Sequence, residues 1–235
     1  MSPQPLQSYP LTPSEIVLLN GEAFAPPPGL PALGPAAQGS DALPLLHTDQ
    51  KVAAPALARA LLRAALLAAE QAGALRLEVR PKPTPFGPSK MKSLYLEPGE
   101  TDPAWPAPSF ESRLRPLAAL REAALVVHGL LEAEAPNPWH HTADLVKRGL
   151  AQRGLLETVE VVQFGFVRAQ AYQLPEATRA LAAQAPIEAV KTLLGACEQG
   201  RPEVWAHLGQ QIDAGLRARL KPGAPAASRK TDDEE

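Results

Sequence analysis

The chain has one cysteine, Cys197. That excludes an intramolecular disulfide and a cysteine-rich metal site, and it fits a reducing compartment. Charge of one sign is also missing. The formal net charge is −2 over 235 residues, so nothing draws the whole chain to nucleic acid or to acidic membranes. Only a local concentration of charge can do that. No GxSxG, GxGxxG or GxxxxGK[ST] occurs. A nucleophile elbow and the glycine loops that cradle phosphates are therefore absent in recognised form. The opening "MSPQPLQSYPLTPSE" has no basic segment followed by an apolar one, so no export signal is expected and the expected location is cytoplasmic. The most apolar run, "ALARALLRAALLAAEQAGAL", approaches the ~20 residues that span a bilayer. It carries Arg59, Arg63 and Glu70, and each charge near a membrane centre costs ~2.5–3.5 kcal/mol. It reads as a core helix of a soluble protein.

Catalytic groupings are scarce as well. "HHTAD" puts His140 and Asp144 four apart on one helical face, but a metal site needs about three protein ligands and no third is near. Such a pair is simply adjacent on a helix. Cys197 follows the apolar spacing Ile187, Val190, Leu194 and reads as a small core residue. Glu132, Glu134 and the terminal "DDEE" read as solvated charge. The expected protein is not an enzyme, and no cofactor is expected.

Two stretches say nearly the same thing. "AAEQAGALRLEVR" (68–80) and "LAQRGLLETVEVV" (150–162) each end a helix, place a glycine, and begin a strand. Gly73 and Gly154 are the expected helix stops. "ALRLEVR" alternates Leu75, Leu77 and Val79 with Arg76, Glu78 and Arg80, the mark of a half-buried strand, and "SLYLE" (93–97) is its expected return arm. "LLETVEVVQFGFVRAQAYQL" predicts a second hairpin, turning near Gly165. Thr12 and Pro13 predict a short helix over 11–20, and Asn137 and Pro138 predict another. The spacing of Leu117, Leu120, Ala124, Val127 and Leu131 predicts one amphipathic helix over about 113–134. Two or three helices should follow, broken at Pro186 and at "GRP" (200–202).

The expected fold class is mainly α (α+β): a helical body with two helix-plus-β-hairpin units. It should form one domain over 11–220, with proline-rich loops at 21–44 and 98–110. Residues 1–10 and the polar tail 221–235 are expected to be disordered. Each hairpin should need a helix to cover its apolar face, because a lone two-stranded sheet is marginal.

Three stretches, "LTPSEIVLLN", "ALARALLRAALLAAEQAGALRLEV" and "WHHTADLVKRGLAQRGLLETVEVV", occur in this order. Together they resemble the Golgi phosphoprotein 3-like family. The resemblance implies a mainly helical, peripheral membrane adaptor that reads a phosphoinositide head group with a Trp and several Arg. This sequence has Ala143 and Leu145 where the family places arginines, and "GEAFAPPPGLP" lacks the Trp. The family's lipid site is therefore not matched here.

The most pointed local feature is "RPKPTPFGPSKMK" (80–92). Arg80, Lys82, Lys90 and Lys92 lie in a stretch, Val79 to Leu96, that has no acidic residue. Phe86 sits at its middle between prolines. A stiffened loop with basic flanks and one aromatic can meet an anionic surface; the competing reading is a solvated, solubilising edge. The expected function is a non-enzymatic binding or adaptor protein. Its expected partner is an anionic membrane surface or another protein, met through Arg80, Lys82, Phe86, Lys90 and Lys92. The alternative is a winged-helix-like module for nucleic acid or protein. In that reading Lys147, Arg148 and Arg153 face phosphate, against Glu157 and Glu160 at the base of the wing.

Overall fold

The computed structural model describes residues 9–29, 42–48, 50–85, 87–119, 121–163 and 167–220, with backbone alone for 84, 87, 88, 161–163 and 167–169. Residues 1–8, the tail from 221 and Phe86 lie outside the described residues, as does 30–41, the middle of the expected 21–44 loop.

The fold is mainly helical, with β-hairpins. Its centre is α2, Ala54–Gln71. Leu57, Leu61, Leu62, Leu66 and Leu67 are buried there, and so are Ala58, Ala64, Ala65 and Ala69. A helix apolar nearly all round belongs inside a body rather than on its surface. Helices α1 (Pro13–Leu19), α3 (Phe110–Leu117), α5 (Pro138–Gln152), α7 (Ile187–Gly200) and α8 (Pro202–Arg217) surround it. One hydrophobic cluster runs from Leu11 to Leu216.

The two glycine stops form as expected. Gly73 and Gly154 both have φ near +72°, a left-handed conformation that glycine adopts without a Cβ penalty. Beyond each, a backbone N–H reaches back six residues in the count of the motif: Ala74 to the Ala69 carbonyl and Leu155 to the Leu150 carbonyl, both at 2.9 Å. These are the bonds of a Schellman cap.

After Gly73, β3 (Leu75–Thr84) pairs antiparallel with β4 (Gly87–Pro98), Leu77 opposite Leu96 and Val79 opposite Leu94. The pairing shifts register between Pro81 and Pro83, where proline withholds its ladder N–H. The apolar side of this hairpin is covered by α8, with α2 and α4 (Ala123–Leu130) beside it.

The single helix expected over 113–134 is three elements. Ser109 caps the earlier start, accepting from Ser112 N at 3.1 Å, so α3 begins at Phe110. Pro116, near the end of α3, lacks an N–H and weakens continuation. Arg121–Glu122 then forms β5 on the free edge of β4, and α4 follows. Of the expected stripe, Val127 and Leu131 are buried, Leu117 and Ala124 are half-buried, and Leu120 lies outside the described residues. An unpaired sheet edge won the residues between. A short hairpin of β1 (Ala42–Pro44) and β2 (Lys51–Ala53) was not expected.

After Gly154, β6 (Glu157–Gln163) pairs with β7 (Val167–Gln173). Among the described residues no helix packs along this hairpin to the extent seen for the first, so the two hairpins are not equally covered. Its root is held by Leu156 and Leu174, both buried. Helix α6 (Glu176–Ala183) leads from it to α7 and α8.

Candidate functional site

The basic stretch expected to meet a partner lies along the far half of the β3–β4 hairpin. Strand alternation sorts its cations onto two faces. Lys92 stands opposite Pro81, on the side of Leu94 and Leu96. Lys82 falls on the other side, near Tyr95. The structure therefore does not bring Lys82 and Lys92 onto one surface.

Carboxylates from distant parts of the chain claim most of these charges. Arg80 donates to Glu78 at 2.5 Å and also to Glu97. Both bonds raise the guanidinium's pKa, and the one from Arg80 lowers that of Glu78. Lys82 pairs with Glu122 of β5 at 3.1 Å. Lys92 pairs with Glu203, in the first turn of α8, at 2.8 Å. Lys90 alone of the four has no ion-pair partner among the described residues, and it is exposed. Next to it stands Met91, with 69% of its surface exposed. The sequence reading passed over Met91, though its position between two lysines was visible. Phe86 lies outside the described residues.

The cations of the winged-helix reading are also engaged. Lys147 pairs with Asp144 at 3.0 Å. Arg153 donates to Glu15 at 2.5 Å and to the Pro10 carbonyl at 2.6 Å. Arg148 remains exposed on the rim of a cleft of about 320 Å³ that also contains Arg113, itself 2.7 Å from Glu132. One free arginine is a thin footprint for nucleic acid.

Behind that cleft lies a polar cluster that sequence reading missed. Glu15 and Glu111 are both 1% exposed. Glu15 accepts from Thr12 N at 2.8 Å, and Glu111 accepts from Ser14 N at 2.8 Å and Ser14 Oγ at 3.0 Å. Both carboxyls thus satisfy the N-terminal N–H groups of α1, tying it to α3 and, through Arg153, to the end of α5. Burial raises both pKa values. Glu15 reaches about 7, against the opposing pull of the Thr12 N–H and of Arg153. "TPSE" carried the signal: Thr12 and Glu15 have capping-box spacing. Each carboxyl oxygen accepts from one of the protein's own donors, and these bonds tie α1 to α3 and α5.

Cys197 is buried in the core, its thiol pKa raised by that burial. Among the described residues no group of three or more His, Cys, Asp or Glu could hold a metal ion. No helix among them is long and apolar enough to cross a membrane. Comparison of the chain with protein-family models, with curated proteins and with solved structures finds no match.

Proposed function

We propose that the chain is a non-enzymatic binding protein that meets an anionic membrane surface with the far end of the β3–β4 hairpin. The observation that supports this is Met91, a largely exposed apolar side chain next in sequence to the exposed Lys90 and Lys92, at the hairpin end where the register shift between Pro81 and Pro83 interrupts the strict alternation of faces. An apolar group with basic flanks suits an interface where lipid head groups meet acyl chains. The Lys92–Glu203 pair is no obstacle. Both partners are about half exposed, and such pairs contribute only ~0–1 kcal/mol. Arg80 and Lys82 serve the sheet and not the surface.

The test is co-sedimentation with phosphatidylcholine vesicles, with and without phosphatidylserine, at low and high salt. Each surface lysine contributes ~1 kcal/mol toward an anionic bilayer. Reversing Lys90 and Lys92 to Glu should therefore weaken binding by about thirtyfold or more at low salt. Met91→Ala should weaken it without changing the salt dependence. Lys82→Gln should leave it intact. Equal binding by the parent and the double Glu variant would end this reading.

The same proposal treats α2 with β3–β4, and α5 with β6–β7, as two versions of one helix–hairpin unit. The matching left-handed glycines and cap bonds support it. The first unit's hairpin packs on α8, α2 and α4, and the second is anchored at its root by Leu156 and Leu174.

A further inference from the structure

Helix α2 is Leu and Ala almost throughout, yet it carries Arg59 and Arg63 four residues apart, hence on one face. That face lines a cleft of about 420 Å³ between α2, α7 and α8. The two arginines are not equivalent. Arg59 is consumed by Asp213 of α8, donating to both its carboxylate oxygens at 2.7 and 3.1 Å. Lys191, on the α7 wall, is paired with Glu188 one turn away at 3.0 Å. Arg63 has no hydrogen-bonded acceptor among the described residues. Its Nε is sealed from solvent without a partner.

The guanidinium is nonetheless held firmly. Its Cζ lies 3.9 Å from the centre of the Trp205 ring. Stacking uses the face of the group and leaves the N–H donors, which point outward in its plane, still to be satisfied. Gly209 of α8 makes the fit possible, because a Cβ there would stand 2.6 Å from Nη2. Burial is the largest influence lowering the Arg63 pKa, followed by the charge of Arg59; Glu198 and Asp213 oppose both from a distance. The charge is undercompensated where it sits.

The rest of the cleft is mostly apolar: Phe24, Ala56, Ala60, Leu194 and Gly195 line it with Trp205. A Cβ built on Gly195 would meet nothing within 4 Å, so the space opposite α7 is empty of protein. Its volume lies within the ~300–1,000 Å³ of small-molecule sites, which combine apolar walls with few polar groups.

We propose that this cleft binds a small organic monocarboxylate, its two oxygens taken by Arg63 and its apolar body by Trp205, Leu194 and Phe24. A guanidinium edge matches a carboxylate in two parallel bonds. One unpaired cation answers one negative charge, and Glu198 among the lining residues disfavours a more highly charged ligand such as a phosphate dianion. This site is separate from the hairpin end and independent of its role.

The experiment titrates the full chain with phenylacetate and with hexanoate, following the Trp205 indole N–H by NMR. The neutral isostere 2-phenylethanol and inorganic phosphate are the comparisons. At least one carboxylate should bind saturably, and 2-phenylethanol should bind roughly tenfold or more weakly than phenylacetate, as expected when a charge-assisted pair is lost. Inorganic phosphate should bind more weakly than the carboxylate. Arg63→Met should reduce carboxylate affinity by a similar factor. Gly195→Phe fills the empty space while keeping Arg63 itself in the chain, and should abolish binding with no fall in melting temperature. No saturable binding of either carboxylate, equal affinity for 2-phenylethanol, tighter binding of phosphate, or full binding by a folded Gly195→Phe variant would each overturn the proposal.

Discussion

Replacing Arg153 by methionine separates the charge of Glu15 from its burial. In the parent, Arg153 Nη1 lies 2.5 Å from Glu15 Oε1, and the Glu15 side chain is 1% exposed. Breaking such a buried pair costs ~3–5 kcal/mol if the abandoned carboxylate stays ionised. Glu15 has a way out, because its pKa already stands at about 7. A raised carboxyl pKa means that the folded state holds the proton more tightly than the unfolded chain. Parent stability from this group is therefore greatest below the ordinary value near 4.5 and falls as pH rises toward 7. The full fall is roughly 3 kcal/mol, from a shift of about 2.5 units at 1.36 kcal/mol each. Glu111, raised by its own burial, acts in the same direction. In Arg153→Met the Glu15 carboxyl loses its cation and its pKa climbs further. The variant should then be only ~1 kcal/mol less stable near pH 5, where Glu15 is neutral and the lost bond to Pro10 O dominates. Near pH 8.5 it should be ~3 kcal/mol or more less stable. Glu15→Gln should flatten the curve between about pH 5 and 7, leaving the smaller slope due to Glu111. Urea unfolding followed by circular dichroism at these pH values measures all three proteins. A pH-independent deficit in Arg153→Met, or a parent that gains stability between pH 5 and 7, would refute the reasoning.

Gly73→Ala should cost more than Gly154→Ala, although both have the same φ. Each substitution incurs ~1–2 kcal/mol of left-handed strain, but a Cβ at 73 also lies 2.9 Å from Thr101 Oγ1, while one at 154 meets nothing within 4 Å. Chemical denaturation should show the gap, and it should persist when salt is varied. Leu66→Ala, in the fully buried centre of α2, should destabilise by ~2–5 kcal/mol; a loss under ~1 kcal/mol would contradict the placement of α2. Asp213→Asn should weaken the grip on Arg59 with a modest loss of stability, ~1 kcal/mol, because both side chains are partly exposed. If melting showed several times that, the pair would be a keystone between α2 and α8 and not a surface tie.

What was legible came from local chemistry. Thr12 with Pro13, Asn137 with Pro138, and Gly73 and Gly154 each act within one helical turn, so their spacing alone placed α1, α5 and the two helix stops. Leu75, Leu77 and Val79 alternate because one side of β3 is buried, and the return arm followed from that. Where local and distant preferences compete, the reading failed. The stripe from Leu117 to Leu131 has helical period, but the free edge of β4 is more than twenty residues upstream, and it took Arg121 and Glu122 out of the helix. The lesser cover of the second hairpin among the described residues was equally invisible, since its own sequence alternates whether or not anything packs on it.

The charged residues show the same limit more sharply. A stretch without acidic residues from Val79 to Leu96 looks like free positive charge, yet the partners of Lys82 and Lys92 arrive from 40 and 111 positions away. Counting charge along the chain measures covalent neighbours, whereas an ion pair depends on distance in space. Arg59 and Arg63 make the point within a single helix. They share a residue type, a face and an apolar setting, and no sequence pattern ranks one above the other. Asp213, 154 positions from Arg59, neutralises one and leaves the other with only the Trp205 face. Trp205 then stacks on the unpaired guanidinium and Gly209 leaves room for it, which favours its place in the cleft. A cation placed in this way, beside a space that the protein leaves unfilled, has the chemistry to recognise an anion, and that chemistry became visible only when α2, α7 and α8 were placed together.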